Sequence, residues 1–338
     1  MYKNKKELLN LISIVILVLI FSVNIQAADY PSKSIDLIVP WSSGGITDTT
    51  ARAFVPHFEK HLDQSITIVN RPGASGAVGT EAAYRKKADG YTVLLSAETP
   101  ATFQVMGMSD LSFEDFEPIM MLVAAERVLV VPEDSPYDNI NQLIKDIKKN
   151  PGDIKMAYSG PGASGHILGL LMEKANLDLR KVPAGGGHEA MVETISGRVD
   201  FTLANLSTVL DYIKKGDLKV LAVLDDEPSA KLDAPPLTKS LPELKPYLPL
   251  DFPNCLLVKE GTSKEKIEVL KTAAKKAVEE EGWIEFTERN YYKRMHDLTG
   301  EEVSSYWKDW ESLVNWMLHE AGATEYSPEK FDIPKYKN

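Results

Sequence analysis

Cysteine is almost missing from this chain. Its 338 residues include one, Cys255, which excludes an internal disulfide and any structural zinc site built on cysteines. A membrane-spanning run is missing too: the extended apolar stretch, Leu11 to Val23, falls short of the about 20 residues that a spanning helix needs. Basic residues are outnumbered, with 38 Lys and Arg against 49 Asp and Glu and a formal charge of −11. A chain of that balance has no cationic face to displace counterions, so nucleic acid is excluded as a partner. Internal repeats and low-complexity tracts are also absent. What is present is ordinary: 43% hydrophobic and 26% charged residues describe a folded globular protein, not a disordered, collagenous or coiled-coil one. At roughly 150 residues per domain, the length predicts about two domains.

Lys3, Lys5 and Lys6 precede the apolar stretch, and Ile25-Gln26-Ala27 follow it. A basic segment, a short apolar core and a small residue form the order of a secretory signal peptide. Residues 1–27 are therefore expected to direct export to the periplasm, with cleavage after Ala27; an uncleaved anchor is the alternative. The lack of a cysteine near that point excludes a lipid anchor.

From Ser34 onward short β-branched runs alternate with helical patterns. The pattern predicts strands at Ile35–Val39, Ile66–Val69 and Tyr91–Leu95, with helices from Thr47 to Leu62 and from Ala77 to Lys87. Further strands are predicted at Val128–Val131, Ile154–Tyr158, Val199–Leu203 and Leu218–Val223. Such alternation predicts parallel strand pairs in sheets flanked by helices. A proline-rich stretch, Asp225 to Pro253, interrupts it; after it come one strand, Cys255–Val258, and helices from Lys264 and Glu301. That strand is too isolated to found its own sheet, so its expected home is the first one. The chain would then leave domain 1 near Val128 and return near Asp251, giving 29–127 with 252–338 as domain 1 and 128–251 as domain 2. Two crossings between two lobes make a hinge and a cleft, where ligands sit. Trp307, Trp310, Leu313, Trp316 and Met317 recur at helical spacing and predict core packing.

Three glycine-rich loops join a strand to a helix: Trp41 to Asp48, Gly160 to Gly165, and Ala184 to Glu189. Glycine lets a ligand approach the backbone, and helix N-termini leave amide donors open. Together they make anion sites that need no cationic side chain. The loops contain no Lys or Arg, so recognition by neutral donors is expected, with Arg127 mattering less than Thr47 or Ser164.

Other chemistries fail on the residues. Gly160-Pro161-Gly162-Ala163-Ser164-Gly165 spells the dinucleotide fingerprint, but it lies mid-chain behind an export signal. A phosphate loop would need Lys and Ser or Thr where His166-Ile167 stand. The hydrolase elbow fails at Ser75, which Ala77 follows, and at Ser164, which His166 follows. His57 and His61 sit one helical turn apart without the glutamate of a zinc-protease motif, and read as a solvated pair. His166, in a helix's first turn, is expected to be neutral, at the pocket edge or simply packed. Asp225-Asp226-Glu227 read as a solvated loop and Cys255 as an inert core thiol. No cofactor, metal or catalytic residue is expected.

The chain resembles the periplasmic solute-binding proteins of tripartite tricarboxylate transporters, the Bug/TctC family. The matching pieces are Tyr30-Pro31 to Ile35, Val39-Pro40-Trp41 with Gly44 to Asp48 and Ala51-Arg52, and Asn70-Arg71-Pro72-Gly73-Ala74-Ser75-Gly76. Asp89-Gly90-Tyr91 to Leu95, Tyr158-Ser159 through Gly162 to Ser164 and His166, and Gly197 to Phe201 continue the series. The resemblance implies a two-lobed type II periplasmic-binding fold, each lobe a mixed sheet flanked by helices. It further implies a monomer that closes on a small carboxylate, a di- or tricarboxylate or related organic anion, and delivers it to membrane permease subunits. Carried over by position, the ligand residues are Ser43, Gly44, Gly45, Thr47 and Asp48; Ser159, Gly162, Ala163 and Ser164; Gly185, Gly186 and Gly187; and Asn205. The chain departs from many relatives at Val182-Pro183-Ala184-Gly185-Gly186, where an aromatic and a lysine are usual, and it places Glu98 near the cleft. A sensor that feeds a receptor kinase, or an exported hydrolase, are the alternatives.

Overall fold

Ile35, Leu37 and Val39 are fully buried and Ile38 nearly so, the pattern of a central strand covered on both faces. In the computed structural model, which describes residues 30–158, 160, 164–184, 187–229 and 231–336, this strand, β1 (Ile35–Val39), lies inside a six-stranded sheet. Its neighbours are β2 (Ile66–Asn70) and β3 (Thr92–Ser96), both parallel to it. The isolated strand, β10 (Phe252–Lys259), lies antiparallel between β3 and β4 (Phe116–Ala125), and a short β11 (Tyr292–Arg294) closes the edge beside β4. The second sheet has five strands in the order β7 (Arg180–Pro183), β6 (Lys155–Tyr158), β8 (Phe201–Asn205), β5 (Arg127–Pro132), β9 (Leu218–Val223). There β6 is parallel to β7 and β8, whereas β5 runs antiparallel to β8 and β9. Both sheets are thus mixed and flanked by helices, as the expected fold class has them. Two of the antiparallel members, β5 and β10, are the strands that enter and return at the two crossings; the third is the edge strand β11.

Helices follow the strands. They are α1 (Ile46–Leu62), α2 (Ala77–Tyr84), α3 (Ile140–Lys149), α4 (Ser164–Lys174), α5 (Gly187–Ile195), α6 (Leu206–Lys215), α7 (Lys264–Ala277), α8 (Glu281–Arg289) and α9 (Glu301–Glu320). β8 starts two residues later than the pattern suggested, because Asp200 caps the neighbouring strand: its Oδ2 accepts from the Lys155 amide at 2.7 Å. The long α9 buries Trp307, Trp310 and Met317, and Trp307 stacks on Phe113 at 3.8 Å between centroids. These residues belong to one apolar cluster that includes Leu94, Met121 and Leu257 of the first sheet and Leu129, Phe201 and Leu203 of the second. The two sheets therefore share a core along α9 and α4. Among the described residues no helix is long and apolar enough to cross a membrane. The expected signal segment lies outside them.

Candidate ligand-binding cleft

The first loop leaves β1 at Val39 and enters α1. Gly44 adopts φ +86°, the left-handed region that an L side chain resists. That turn folds the loop back so that the Gly44 amide donates to Asp48 Oδ2 at 2.8 Å. The same oxygen accepts from Arg52 Nε at 2.9 Å, one helical turn on, and Oδ1 accepts from Asn70 Nδ2 at 2.9 Å. Asn70 also donates to the Trp41 carbonyl at 3.0 Å, which joins the loop to the end of β2. Asp48 is 1% exposed. Burial pushes its carboxyl up, but hydrogen bonds from Arg52, Gly44 and Asn70, with the Arg52 charge, outweigh that and hold it below the usual carboxylate range. Asp48 therefore fixes the loop from inside. Thr47 is buried beside it, while Ser43, Gly44 and Gly45 form the outer surface. Gly45 is the N-cap and carries no side chain to cap α1, so the first-turn amides of this helix stay open to an anion.

A second group of candidate residues comes from the second sheet. Gly165 in α4, Gly187 at the start of α5, and Asn205 and Thr208 at the start of α6 surround a small cavity of about 40 Å³, which Arg127 and Thr202 also line. Asn205 is the N-cap of α6, yet its side chain does not cap the helix, and its buried Oδ1 has no hydrogen-bond partner among the described residues. Of the expected ligand residues, Gly187 and Asn205 thus come together here. Ser164 opens α4, and Ser159, Gly162, Ala163, Gly185 and Gly186 lie outside the described residues.

A line of charge runs where the two crossings pass. Arg127, the first residue of β5, is 3% exposed and lies 3.8 Å from the carboxylate of Glu98, itself 1% exposed. Arg127 Nη2 donates to the Asp251 carbonyl at 3.4 Å, and its guanidinium stands 5.6 Å from the Phe252 ring centre. Burial lowers the Arg127 pKa against the opposing pull of Glu98 and Asp251. Burial likewise raises Asp251, despite Lys293. Lys293 of β11 bridges Asp225 at 2.8 Å and Asp251 at 2.9 Å, so one ammonium ties both ends of the proline-rich stretch. Burial pulls Lys293 down, but the two aspartates prevail and push it up to about 12.

Several sequence readings change here. His57 and His61 are not a solvated pair: His61 Nε2 lies 2.8 Å from Glu280, and His57 packs where Gly282 of α8 leaves room. Asp225 and Asp226 are held by Lys293 and Lys245 rather than left to solvent. His166 stacks near Tyr158 at 5.4 Å, and burial, with the Lys181 charge, lowers its pKa, in keeping with a neutral ring. From the sequence, Asn70 entered only as part of a family motif, Asp251 only as a domain boundary, and Lys293 not at all. The Asp48–Arg52 spacing of one helical turn was the available signal for the first loop. Nothing local announces Lys293. Among the described residues no group of three His, Cys, Asp or Glu could hold a metal ion.

Two mixed sheets flanked by helices, between which the chain crosses twice, define a type II periplasmic binding protein. Residues 50–299 match the family described as tripartite tricarboxylate transporter family receptor, TctC, and the chain belongs to it. Protein BugT of Bordetella pertussis is 31% identical over 243 residues, which covers 70% of this chain and 74% of that one. A TctC solute binding protein from Polaromonas, crystallised without ligand, superposes with a TM-score of 0.70 at 27% identity, covering 86% of this chain and 99% of the other. An R. palustris protein solved with adipate superposes with a TM-score of 0.79 at 21% identity, covering 88% and 99%.

Proposed function

We propose that this protein captures a small carboxylate in the cleft between its lobes and delivers it to the permease subunits of a tripartite tricarboxylate transporter. The lobes are taken as residues 29–127 with 252–338, and residues 128–251. The observation that carries the reading is a pair of helix starts left without side-chain caps, α1 at Gly45 and α6 at Asn205. Open first-turn amides on both walls suit an anion with a carboxylate at either end. In the first loop, Ser43, Gly45 and the start of α1 at Thr47 supply the donors, Gly44 lets the ligand approach the backbone, and Asp48 holds the turn through the Gly44 amide. The opposite donors come from Ser159, Gly162, Ala163 and Ser164, from Gly185 to Gly187, and from Asn205. The adipate found in the R. palustris relative is a ligand of that chemistry. The protein works as an exported, periplasmic monomer and turns nothing over.

A thermal-shift panel of mono-, di- and tricarboxylates tests the reading. A ligand that binds only the folded state adds about 2.7 kcal/mol at 100 times Kd, a plain rise in melting temperature. No shift with any carboxylate, in protein first freed of carried ligand, would refute it.

A further inference from the structure

We infer that Arg127 is a ligand residue, the anchor for one carboxylate terminus, and that Glu98 sets how much negative charge the ligand carries at that end. The inference rests on the carboxylate-binding reading and deepens it. Arg127 is 3% exposed and lines the cavity beside Asn205 and the start of α5 at Gly187. In the antiparallel pairing of β5 with β8 it stands directly opposite Asn205, so the two side chains share one face of the sheet.

A guanidinium offers five donors, and buried donors are almost always matched by acceptors. Here the match is poor. Arg127 Nη2 reaches the Asp251 carbonyl at 3.4 Å, Nε has no partner among the described residues, and the Glu98 carboxylate stands at 3.8 Å, beyond hydrogen-bond reach. A fold that built this pair only for stability would close it into a bidentate contact. The loose geometry leaves the planar fork free for a second carboxylate, with the Asn205 amide beside it. This revises the expectation that neutral donors suffice.

Glu98 then has a definite effect. It neutralises the buried arginine while the site is empty, and it repels a second negative charge brought in next to the first. The ligand favoured is one whose carboxylates are well separated, with a single carboxylate at the Arg127 end. Citrate, with crowded carboxylates, is disfavoured.

The test is calorimetry of the purified protein with adipate, malate, citrate and neutral adipamide, on wild type, Arg127→Gln, Arg127→Lys, Glu98→Gln and the surface control Arg85→Gln. For the dicarboxylate that wild type binds, Arg127→Gln should lose about 10- to 100-fold in affinity, Arg127→Lys less, and Arg85→Gln nothing. Glu98→Gln should bind several-fold tighter, narrow the gap to citrate, and melt lower when empty, because the buried guanidinium loses its counter-charge. Arg127→Gln that melts cooperatively and binds within twofold of wild type would overturn the assignment and leave the carboxylate reading standing. Should that variant not fold, unchanged affinity in Arg127→Lys and Glu98→Gln overturns it equally, as does adipamide binding as tightly as adipate. Wild type that binds none of the carboxylates would overturn both readings together.

Discussion

Asp48→Ala should loosen the first loop and destabilise the whole fold. Three donors lie within 2.9 Å of this carboxylate, the Gly44 amide, Arg52 Nε and Asn70 Nδ2. Hydrogen bonds to a charged group contribute about 1.5–3 kcal/mol each. The Arg52 side chain is 52% exposed, so solvent screens it and it adds little, as for surface ion pairs. Water can reach the exposed Gly44 once the carboxylate is gone, which trims that contribution as well. The loss expected for Asp48→Ala is therefore about 2–4 kcal/mol, or roughly 4–8 °C in melting temperature at about 2 °C per kcal/mol for a chain of this size. Asp48→Asn, which keeps the shape and loses the charge, should lose less. Because the folded carboxyl titrates below its ordinary range, its stabilisation is complete above the unfolded value, about 3.9, and fades as pH falls through the lowered folded value. The gap between wild type and Asp48→Asn should hold steady from pH 7 to 5 and close only in stronger acid. Thermal and urea unfolding measure both, and a cycle with Asn70→Ala should show the two losses overlapping by more than 1 kcal/mol, as roughly expected of contacting residues. Additive losses, or an Asp48→Ala protein that melts with wild type, would refute the account of the loop.

Two further outcomes follow from burial. Gly79→Ala should cost stability out of proportion to one methyl group, since its Cβ would stand 2.6 Å from the Arg71 carbonyl and 2.6 Å from Pro40 Cα; these are backbone atoms, and a urea midpoint equal to wild type would contradict the packing of α2 on the end of β1. Cys255 is fully buried and burial pushes its thiol up, so a chromogenic thiol reagent should react with one group in urea and with none in the native protein; prompt native reaction would show that β10 is exposed.

Local chemistry made the first half of the fold readable. Ile35–Val39 is a β-branched run stopped by Pro40 and followed by glycines, so its bounds came directly from the sequence and match the strand. The helix after it, the stripe of Trp307 and Trp310, and the place of Cys255–Val258 in the first sheet followed from period and from the lack of other partners. β4 was missed because Phe116–Ala125 is apolar without alternation and carries Pro118, a pattern that fits a buried helix segment equally well. β11 was missed because three residues, two of them basic, have no period at all. At the site, the glycines marked the loops, but they gave no hint that Asp48 points inward. The meeting of Glu98 with Arg127, or of Lys293 with Asp225 and Asp251, depends on sheet order. Sheet order is set by pairings between distant strands, which a local pattern does not encode.

Asp48 and Arg127 illustrate how burial distinguishes a staple from an open position. Each is a single charge, nearly inaccessible, at the end of a strand or start of a helix that faces the cleft. Removing either charge from water costs several kcal/mol by rough measure unless hydrogen bonds replace the lost hydration. Asp48 is repaid by three close donors, from its own loop, from α1 and from the end of β2, and its lowered pKa is the signature of a charge better solvated inside than outside. Among the described residues Arg127 has one long hydrogen bond and a carboxylate just out of reach, and burial moves its pKa toward losing the proton. The two charges share a depth and differ in how far their bonding capacity is met. An acidic chain that must hold an anion gains little from its overall field, which opposes the approach. It can still gain from a buried guanidinium whose remaining donors are met when the ligand arrives.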